Sequence, residues 1–310
     1  MEALDSGNMS STQVGIDLGG TAAKSGRITH AGETLAESTI DPGFADGPER
    51  VLDRLADLFR ELGGGDALGI GVPGLLDRER GIVLTSPNLP GFSGLDVKHG
   101  LARRTGLPAV RVHVENDANA AAVGELWLGA GRGERDALVV TLGTGIGGGL
   151  ILGGRLHAGE GLGGEIGHVV VDPRGPRCGC GKQGCVEALA SATAARRRAL
   201  SAGLPAERPG DLLLLAQRAR EGHAPECELL REVGRDLGRG LGPALCLLDL
   251  RLFIFGGGFS GALDTLEVGI REGIDERSFG GRAQSVRLLR ATLGPSAGWI
   301  GAARVAIAAG

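Results

Sequence analysis

The sequence contains no tyrosine, and aromatic residues make up only 3% of its 310 positions. No apolar run approaches the ~20 residues that a membrane-spanning helix needs, so we expect no membrane partner. The N-terminus lacks the apolar segment of a signal peptide, and we expect a cytoplasmic protein. Basic and acidic residues are mixed along a chain of formal net charge −4. Because no basic tail or run is present to neutralise phosphates, we expect no nucleic-acid partner.

Cysteines are few and odd in number, five in all, which argues against a secreted disulfide framework. Three of them, Cys178, Cys180 and Cys185, fall within eight residues, ten positions after His168. Three thiolates and one imidazole complete the tetrahedral shell of a structural zinc ion and leave no position for a catalytic water. We therefore predict a zinc-binding loop over 164–187. Cys246 lies in an apolar run and is expected to be a small core residue.

Glycine is abundant, with 58 residues, and it clusters where predicted strands end. Strands alternate with helices in both halves of the chain, which predicts an α/β fold. Each half opens with an apolar strand, a glycine-rich turn bearing a threonine and a returning strand, so we expect two similar lobes that face one cleft. The predicted organisation is a disordered lead over 1–13, a small lobe over 14–117 and a large lobe over 118–297, with the C-terminal helix 298–310 packing back on the small lobe.

Three glycine-rich turns are candidates for binding a nucleotide, because successive backbone N–H groups can hold phosphate oxygens. The proposed nucleotide and Mg²⁺ residues are Asp17, Gly19, Gly20, Thr21, Gly143, Thr144, Gly145, Gly256, Gly257 and Gly258. Taken singly, each turn is also compatible with an ordinary hairpin or a strand-to-helix connection. None is a Walker A motif, since no Gly-Lys-Ser/Thr follows.

Two further segments carry polar groups suited to a hydroxyl substrate. In Glu115-Asn116-Asp117 a predicted strand runs into a helix, so Asn116 could orient a hydroxyl and Asp117 could accept its proton. Both residues also serve well as helix N-caps, which is the alternative. The segment 86–91 is a rigid Pro/Gly turn that presents Asn88.

Taken together, these segments resemble the ROK family of sugar kinases, which have the two-lobed actin/hexokinase (ribonuclease H-like) fold. The matching stretches run in order along the chain: Gly15-Ile-Asp17-Leu-Gly-Gly-Thr21, Gly71-Val-Pro-Gly74, Ser86-Pro-Asn88-Leu-Pro-Gly91, Glu115-Asn-Asp117, the Gly-rich turn 142–150, Gly164-Glu165-Ile-Gly-His168, the cysteine loop with Glu187, and Ile254-Phe-Gly-Gly-Gly258. The chain departs from many members after Thr21, where Ala22-Ala23 precede Lys24.

The resemblance implies a role for each of these groups. Asp117 is expected to be the catalytic base. The residues expected to bind the sugar are Gly74, Asn88, Asn116, Asp117, Glu165, His168 and Glu187, and those expected to bind zinc are His168, Cys178, Cys180 and Cys185. The implied cofactors are ATP with Mg²⁺ and one structural Zn²⁺.

The expected activity is ATP-dependent phosphorylation of a hexose, with glucose as the leading substrate. Kinases for N-acetylglucosamine, N-acetylmannosamine, fructose or mannose are the alternatives within this chemistry. A sugar-responsive regulator without kinase activity is a more distant alternative. Repressors of this family carry an N-terminal helix-turn-helix of several tens of residues, whereas only about thirteen residues precede the first glycine turn here. The resemblance also implies a homodimer or homotetramer.

Overall fold

The computed structural model describes residues 11–208 and 210–308. Most of the lead predicted over 1–13 lies outside these residues. The described chain forms two compact units, the first from 11–133, 155–163 and 293–308, and the second from 134–154 and 164–292. Along the described ranges, no helix is both long and apolar enough to cross a membrane.

The first unit is built on a five-stranded sheet in the order β3-β2-β1-β4-β7. Strand β1 pairs antiparallel with β2 and parallel with β4, and β4 pairs parallel with β7. Its elements are β1 (Thr12–Leu18), β2 (Ala23–Thr29), β3 (Thr34–Ile40), α1 (Pro48–Glu61), β4 (Ala67–Val72), β5 (Leu75–Asp77), β6 (Ile82–Thr85), α2 (Val97–Thr105), β7 (Val112–Asn116) and α3 (Asp117–Leu128).

Helix α1 covers one face of this sheet with the apolar stripe that its sequence predicts. Val51, Leu52, Leu55 and Leu58 are all buried, at the spacing of successive helical turns. Strand β4 is buried along its whole length, as expected for a strand with neighbours on both sides and helices on both faces.

The second unit, like the first, has an antiparallel hairpin whose first strand also pairs with a parallel strand. Its elements are β8 (Ala137–Leu142), β9 (Ile146–Leu152), α4 (Val186–Ala190), α5 (Ala192–Ser201), α6 (Asp211–Arg220), α7 (Ala224–Leu248), β11 (Leu252–Gly256), α8 (Leu263–Arg277) and β12 (Arg287–Arg290). Its strands run in the order β9-β8-β11-β12. The α/β prediction is confirmed, and each unit opens with a hairpin on either side of a glycine turn.

Two short elements complete the first unit: β10 (Arg155–Leu156) and the C-terminal helix α9 (Ala297–Ala308). Helix α9 approaches the sheet so closely that a Cβ on Gly15 or Gly69 would lie within 2 Å of an α9 carbonyl oxygen. It also packs against α3, where Gly301 faces the carbonyl oxygen of Ala120. The boundary that we predicted after Asp117 therefore falls at the start of α3, a helix that the structure places in the first unit.

One predicted helix is divided in the structure. The composition of 188–201, rich in alanine and arginine, predicts one continuous helix. In the structure α4 ends and α5 begins at Ser191, whose backbone is extended. The Ser191 hydroxyl accepts a hydrogen bond from the Ala194 N–H at 3.1 Å and so caps α5. The break leaves the Ala192 N–H outside the helical hydrogen-bond ladder.

Candidate active site and metal centre

The first group of predicted residues lies where the parallel strands of the first unit end. Asp17 is in register with Gly71 on β4, and Gly71 is in register with Glu115 on β7. Carboxyl ends of neighbouring parallel strands share one edge of a sheet, and ligands of open α/β sheets bind at that edge. Asp117, the first residue of α3, follows directly, and its Cα lies 3.5 Å from where a Cβ on Gly71 would be.

Two carboxyl groups at this edge have perturbed acidities. Burial raises the pKa of Asp17 to about 6, the negative charge of Asp117 adds to the shift, and Lys24 opposes it. Burial also raises the pKa of Asp117, against a hydrogen bond from the Ala118 N–H at 2.9 Å. A carboxylate that holds its proton more tightly than usual is suited to accept one from a hydroxyl near neutral pH.

Asn116 is used mainly as a helix cap. Its side-chain Oδ1 accepts hydrogen bonds from the N–H groups of Ala118 and Asn119, and its Nδ2 donates to the Gly74 carbonyl at 3.2 Å. Asn116 is therefore the N-cap of α3, the alternative role that its position in the sequence allowed. These contacts occupy the amide oxygen and leave one N–H of Nδ2 to offer to a ligand.

Glu115 is a buried residue of this segment that sequence reasoning left without a function. One carboxylate oxygen accepts from the Asn116 N–H and the Asn119 side chain, each at 3.0 Å. The other accepts from Nε of Arg78 at 2.7 Å. Glu115 thus ties the loop after β5 to strand β7, which ends just before Asp117. A charged residue within a buried strand was the available signal, but its partner lies 37 positions away.

The Gly-Gly-Thr turn of the first unit joins β1 to β2 as a tight hairpin, closed by the Gly19 N–H donating to the Ala22 carbonyl at 3.0 Å. Gly20 and Thr21 are exposed. The predicted loop with Asn88 lies alongside, since a Cβ on Gly20 would sit 3.6 Å from the Asn88 carbonyl oxygen. The structure therefore brings Asp17, Gly20 and the Asn88 loop together within this unit.

The Gly143–Gly145 turn of the second unit joins β8 to β9 in the same way. Thr144 is exposed, and its carbonyl accepts a hydrogen bond from the Thr193 hydroxyl at 2.8 Å. The following Ile146 N–H donates to Oε2 of Glu187 at 3.0 Å. The side chains of Glu187 and Thr193, which follow the three clustered cysteines in sequence, therefore hold this turn.

The third glycine cluster lies beside the second. Strand β11 is parallel to β8, with Gly256 in register with Thr141, so Gly257 and Gly258 leave the same sheet edge as Gly143. A Cβ on Gly257 would come within 2.4 Å of the Leu142 carbonyl oxygen, and Gly257 has a left-handed φ of 81°. Both reasons require glycine here. Gly258 faces open space.

The four predicted zinc ligands converge. The ligand atoms of His168, Cys178, Cys180 and Cys185 all lie within 4.8 Å of one another. Sγ of Cys178 lies 3.7 Å from Nδ1 of His168, and the sulfurs of Cys180 and Cys185 are 3.6 Å apart. Zn–S and Zn–N bonds of about 2.3 and 2.0 Å at tetrahedral angles give edges of roughly 3.6 to 3.8 Å. The two distances given above match such edges, so the cluster is compatible with a tetrahedral zinc site.

The protonation of the three thiols depends on what lies between them. Burial raises the pKa of Cys178, and burial together with the adjoining thiols raises the pKa of Cys185 to about 12. A hydrogen bond from the Lys182 backbone lowers the pKa of Cys180. Neighbouring thiols of this kind ionise together only when a positive charge joins them, and the thiolate is the metal-binding form.

The predicted sugar-binding residues of the second unit surround the cysteine cluster. The His168 ring turns Nδ1 toward Cys178, and its Nε2 lies 4.0 Å from Oε2 of Glu165. Glu187 is half-buried, with Oε1 lying 3.6 Å from Sγ of Cys178.

One expectation about the cysteines was wrong. Cys246 is exposed, because its apolar run lies in the last turn of α7, where Leu247 and Leu248 are exposed too.

The comparisons with known proteins agree with this architecture. The model of the ROK family matches residues 13–309. A curated glucokinase of Thermotoga maritima is 38% identical over 309 residues, which cover 94% of this chain and 96% of that protein. A crystal structure of a ROK hexokinase from Thermus thermophilus superposes with a TM-score of 0.80 at 37% identity and covers 96% of this chain and 100% of its own.

A second solved structure was determined with ligands. It is a ROK family glucokinase from Streptomyces griseus in complex with glucose and AMPPNP, with a TM-score of 0.77, 34% identity, and coverage of 96% of this chain and 99% of that one. The fold is thus that of ROK sugar kinases. This chain belongs to the ROK family.

Proposed function

We propose that this protein is a glucokinase that transfers the γ-phosphoryl group of ATP to the 6-hydroxyl of glucose. The similarity to glucokinases over nearly the whole chain supports this activity, as does the Streptomyces griseus structure with its glucose and nucleotide analogue. The observation that carries the assignment is the position of Asp117, a carboxyl group of raised pKa at the carboxyl edge of parallel strands.

Asp117 acts as the general base in this proposal. Its carboxylate accepts the proton of the sugar hydroxyl as the oxygen forms its bond to the γ-phosphorus, and ADP leaves with the electrons of the broken P–O bond. Phosphoryl transfer depends mostly on positioning and on neutralising charge, so the base needs only to lie within hydrogen-bond reach. The helix cap by Asn116 fixes the backbone from which Asp117 projects.

The remaining sugar contacts are proposed from the family resemblance. They are Gly74, Asn88, Asn116, Glu165, His168 and Glu187. The arrangement of His168 suits this role: with Nδ1 facing the cysteines, a metal bond at that nitrogen leaves the proton on Nε2, which can donate to a hydroxyl.

We assign the nucleotide to the three glycine turns and Mg²⁺ to the neighbourhood of Asp17. The exposed backbone of Gly20, Thr144 and Gly258 is available to phosphates and ribose. A structural zinc ion would be held by His168 and the three clustered cysteines. It would supply fixed geometry to that loop rather than an activated water, because the four residues fill its shell.

Substrate identity is tested with the purified protein and a panel of sugars. Formation of ADP with ATP and glucose, N-acetylglucosamine, N-acetylmannosamine, fructose or mannose gives kcat/KM for each. We expect glucose to be the best substrate. Equal or higher kcat/KM on another sugar would replace glucose in the proposal while keeping the kinase chemistry.

The role of Asp117 is tested by Asp117→Asn, which removes the base and keeps the shape of the side chain. We expect kcat to fall by about 10²- to 10⁴-fold while glucose still binds in calorimetry. The matched control is Asp249→Asn, an exposed carboxylate at the end of α7 that pairs with Arg251. An unchanged kcat for Asp117→Asn would remove Asp117 from the reaction.

We also propose that the protein works in the cytoplasm, in glycolysis, as a homodimer or homotetramer. Light scattering coupled to size-exclusion chromatography measures the assembly directly. A monomer at all concentrations would contradict that part of the proposal.

A further inference from the structure

The loop that carries the clustered cysteines continues directly into the residues that hold the Gly143–Gly145 turn. Cys185 is the N-cap of α4, and Glu187 lies in the first turn of that helix. The chain then breaks at Ser191 and enters α5 with Ala192 and Thr193. The segment 187–193 is therefore fixed at its start by a predicted metal ligand.

Three hydrogen bonds join this segment to the glycine turn. Oε2 of Glu187 accepts from the Ile146 N–H at 3.0 Å. The Ala192 N–H, which the break in the helix releases, donates to the Gly143 carbonyl at 3.0 Å. The Thr193 hydroxyl donates to the Thr144 carbonyl at 2.8 Å. Each residue of 143–146 except Gly145 is thus bonded to the segment.

Gly145 is in contact with the same carboxylate. A Cβ at Gly145 would lie 2.4 Å from Oε2 of Glu187, so the carboxylate rests against bare backbone. A turn that is bonded at 143, 144 and 146 and packed at 145 takes its position from the segment that it contacts, because a displaced turn would leave these donors and acceptors unpaired.

The second oxygen of Glu187 reaches the cysteine cluster. Its Oε1 lies 3.6 Å from Sγ of Cys178, where a thiol would donate to it. One carboxylate therefore contacts both a metal ligand and the glycine turn.

We propose that Glu187 is a positioning residue that couples the cysteine cluster to the Gly143–Gly145 turn, so that the bound metal controls affinity for the nucleotide as well as for the sugar. The identity of the ligand as a nucleotide rests on the proposed function; the coupling of the two loops does not.

The coupling is tested first without any nucleotide, by hydrogen exchange of the peptide that covers 142–147. We compare the zinc-loaded protein with the chelated protein and with zinc-loaded Glu187→Ala, which keeps all four metal ligands. We expect exchange in this peptide to rise about tenfold or more in both, the loss associated with one hydrogen bond to a charged acceptor. Unchanged exchange in Glu187→Ala at full zinc content would overturn the coupling, whatever the protein phosphorylates.

Nucleotide affinity is measured next, by calorimetry with a nonhydrolysable ATP analogue and, separately, with glucose. Thr193→Val removes a bond to the turn at a residue that is not one of the four predicted metal ligands. We expect it to weaken analogue binding about fivefold and leave glucose binding unchanged. The matched control is Thr105→Val, whose hydroxyl donates to the Leu101 carbonyl within α2. We expect wild-type affinities from the control.

Metal removal completes the comparison. We expect the chelated protein to lose analogue affinity by about tenfold or more, in the same direction as Glu187→Ala. If only glucose affinity falls on chelation, the metal does not act through the turn and the proposal is wrong. If wild-type protein binds no analogue but its turn responds to metal in hydrogen exchange, the coupling stands and the assigned nucleotide fails. Should chelation unfold the protein, Glu187→Ala and Thr193→Val decide the question with the metal in place.

Discussion

The ionised carboxylate of Asp17 destabilises the folded protein, although the proposed Mg²⁺ site needs its charge. The variant Asp17→Asn tests this. The carboxyl group lies at the end of β1, where burial and the charge of Asp117 raise its pKa from 3.8 to about 6. Asparagine keeps the size of the side chain and removes the charge. We expect the variant to be more stable than the wild type at neutral pH and much less active.

The magnitude follows from proton linkage. Between pH 4 and pH 6 the folded protein keeps the Asp17 proton that the unfolded chain releases, so the stability of the wild type falls as pH rises through this window. Each pKa unit is worth about 1.4 kcal/mol, so ionised Asp17 costs about 3 kcal/mol above pH 6. This is the upper limit of the gain in Asp17→Asn, because the new amide must itself find hydrogen-bond partners.

The assay is urea unfolding of both proteins at a series of pH values from about 3 to 8. We expect the difference in free energy of unfolding to grow from near zero at the acid end and level off above pH 6, with several degrees of difference in Tm. Kinase assays on the same samples should show a large loss of kcat/KM for ATP. A stability difference that is independent of pH, or a less stable variant at pH 8, would refute the linkage argument.

Three other changes test separate parts of the structure. Arg78→Met should destabilise the first unit by about 3 kcal/mol in urea unfolding, because it leaves Glu115, which is 1% exposed, as a buried charge without its cation. Gly301→Ala should cost about 3 kcal/mol or yield insoluble protein, since the added Cβ would fall 1.6 Å from the Ala120 carbonyl oxygen. Cys180→Ser should lower the zinc content measured by atomic emission and reduce Tm, whereas Cys227→Ser, outside the cluster, should change neither.

Much of the architecture could be predicted because local patterns and tertiary packing agree. The apolar spacing in α1 predicts a helix and its buried face, and the continuous apolar run of β4 predicts a strand that is buried along its length. The cysteine cluster was equally readable, since its spacing has few other uses. The short pair β5 and β6 was not predicted: it has only three and four residues, and a Pro-Gly turn precedes it.

The contacts of the site were harder to predict, because they join residues that are distant in sequence. Glu115 meets Arg78, and Glu187 meets Ile146 41 positions away, through carboxylates whose local surroundings give no sign of the partner. The division of the helix at Ser191 was missed for a related reason. Alanine and arginine favour a continuous helix over 188–201, and the hydrogen bond from Ala192 to Gly143 that rewards the break is a tertiary contact.

The discontinuous first unit sets the order in which the protein can fold during synthesis. Its sheet is covered by α9, whose Trp299 is 2% exposed and lies over Gly26, yet these partners are separated by almost the whole chain. The second unit lies between them and is complete once residue 292 has left the ribosome. Chains are made from the N-terminus at about 5–20 residues per second. The face of the first unit's sheet that α9 covers, which is lined by glycines, therefore stays exposed while the second unit is synthesised. The sheet of the first unit is therefore fully covered only after the twelve residues of α9 have been synthesised.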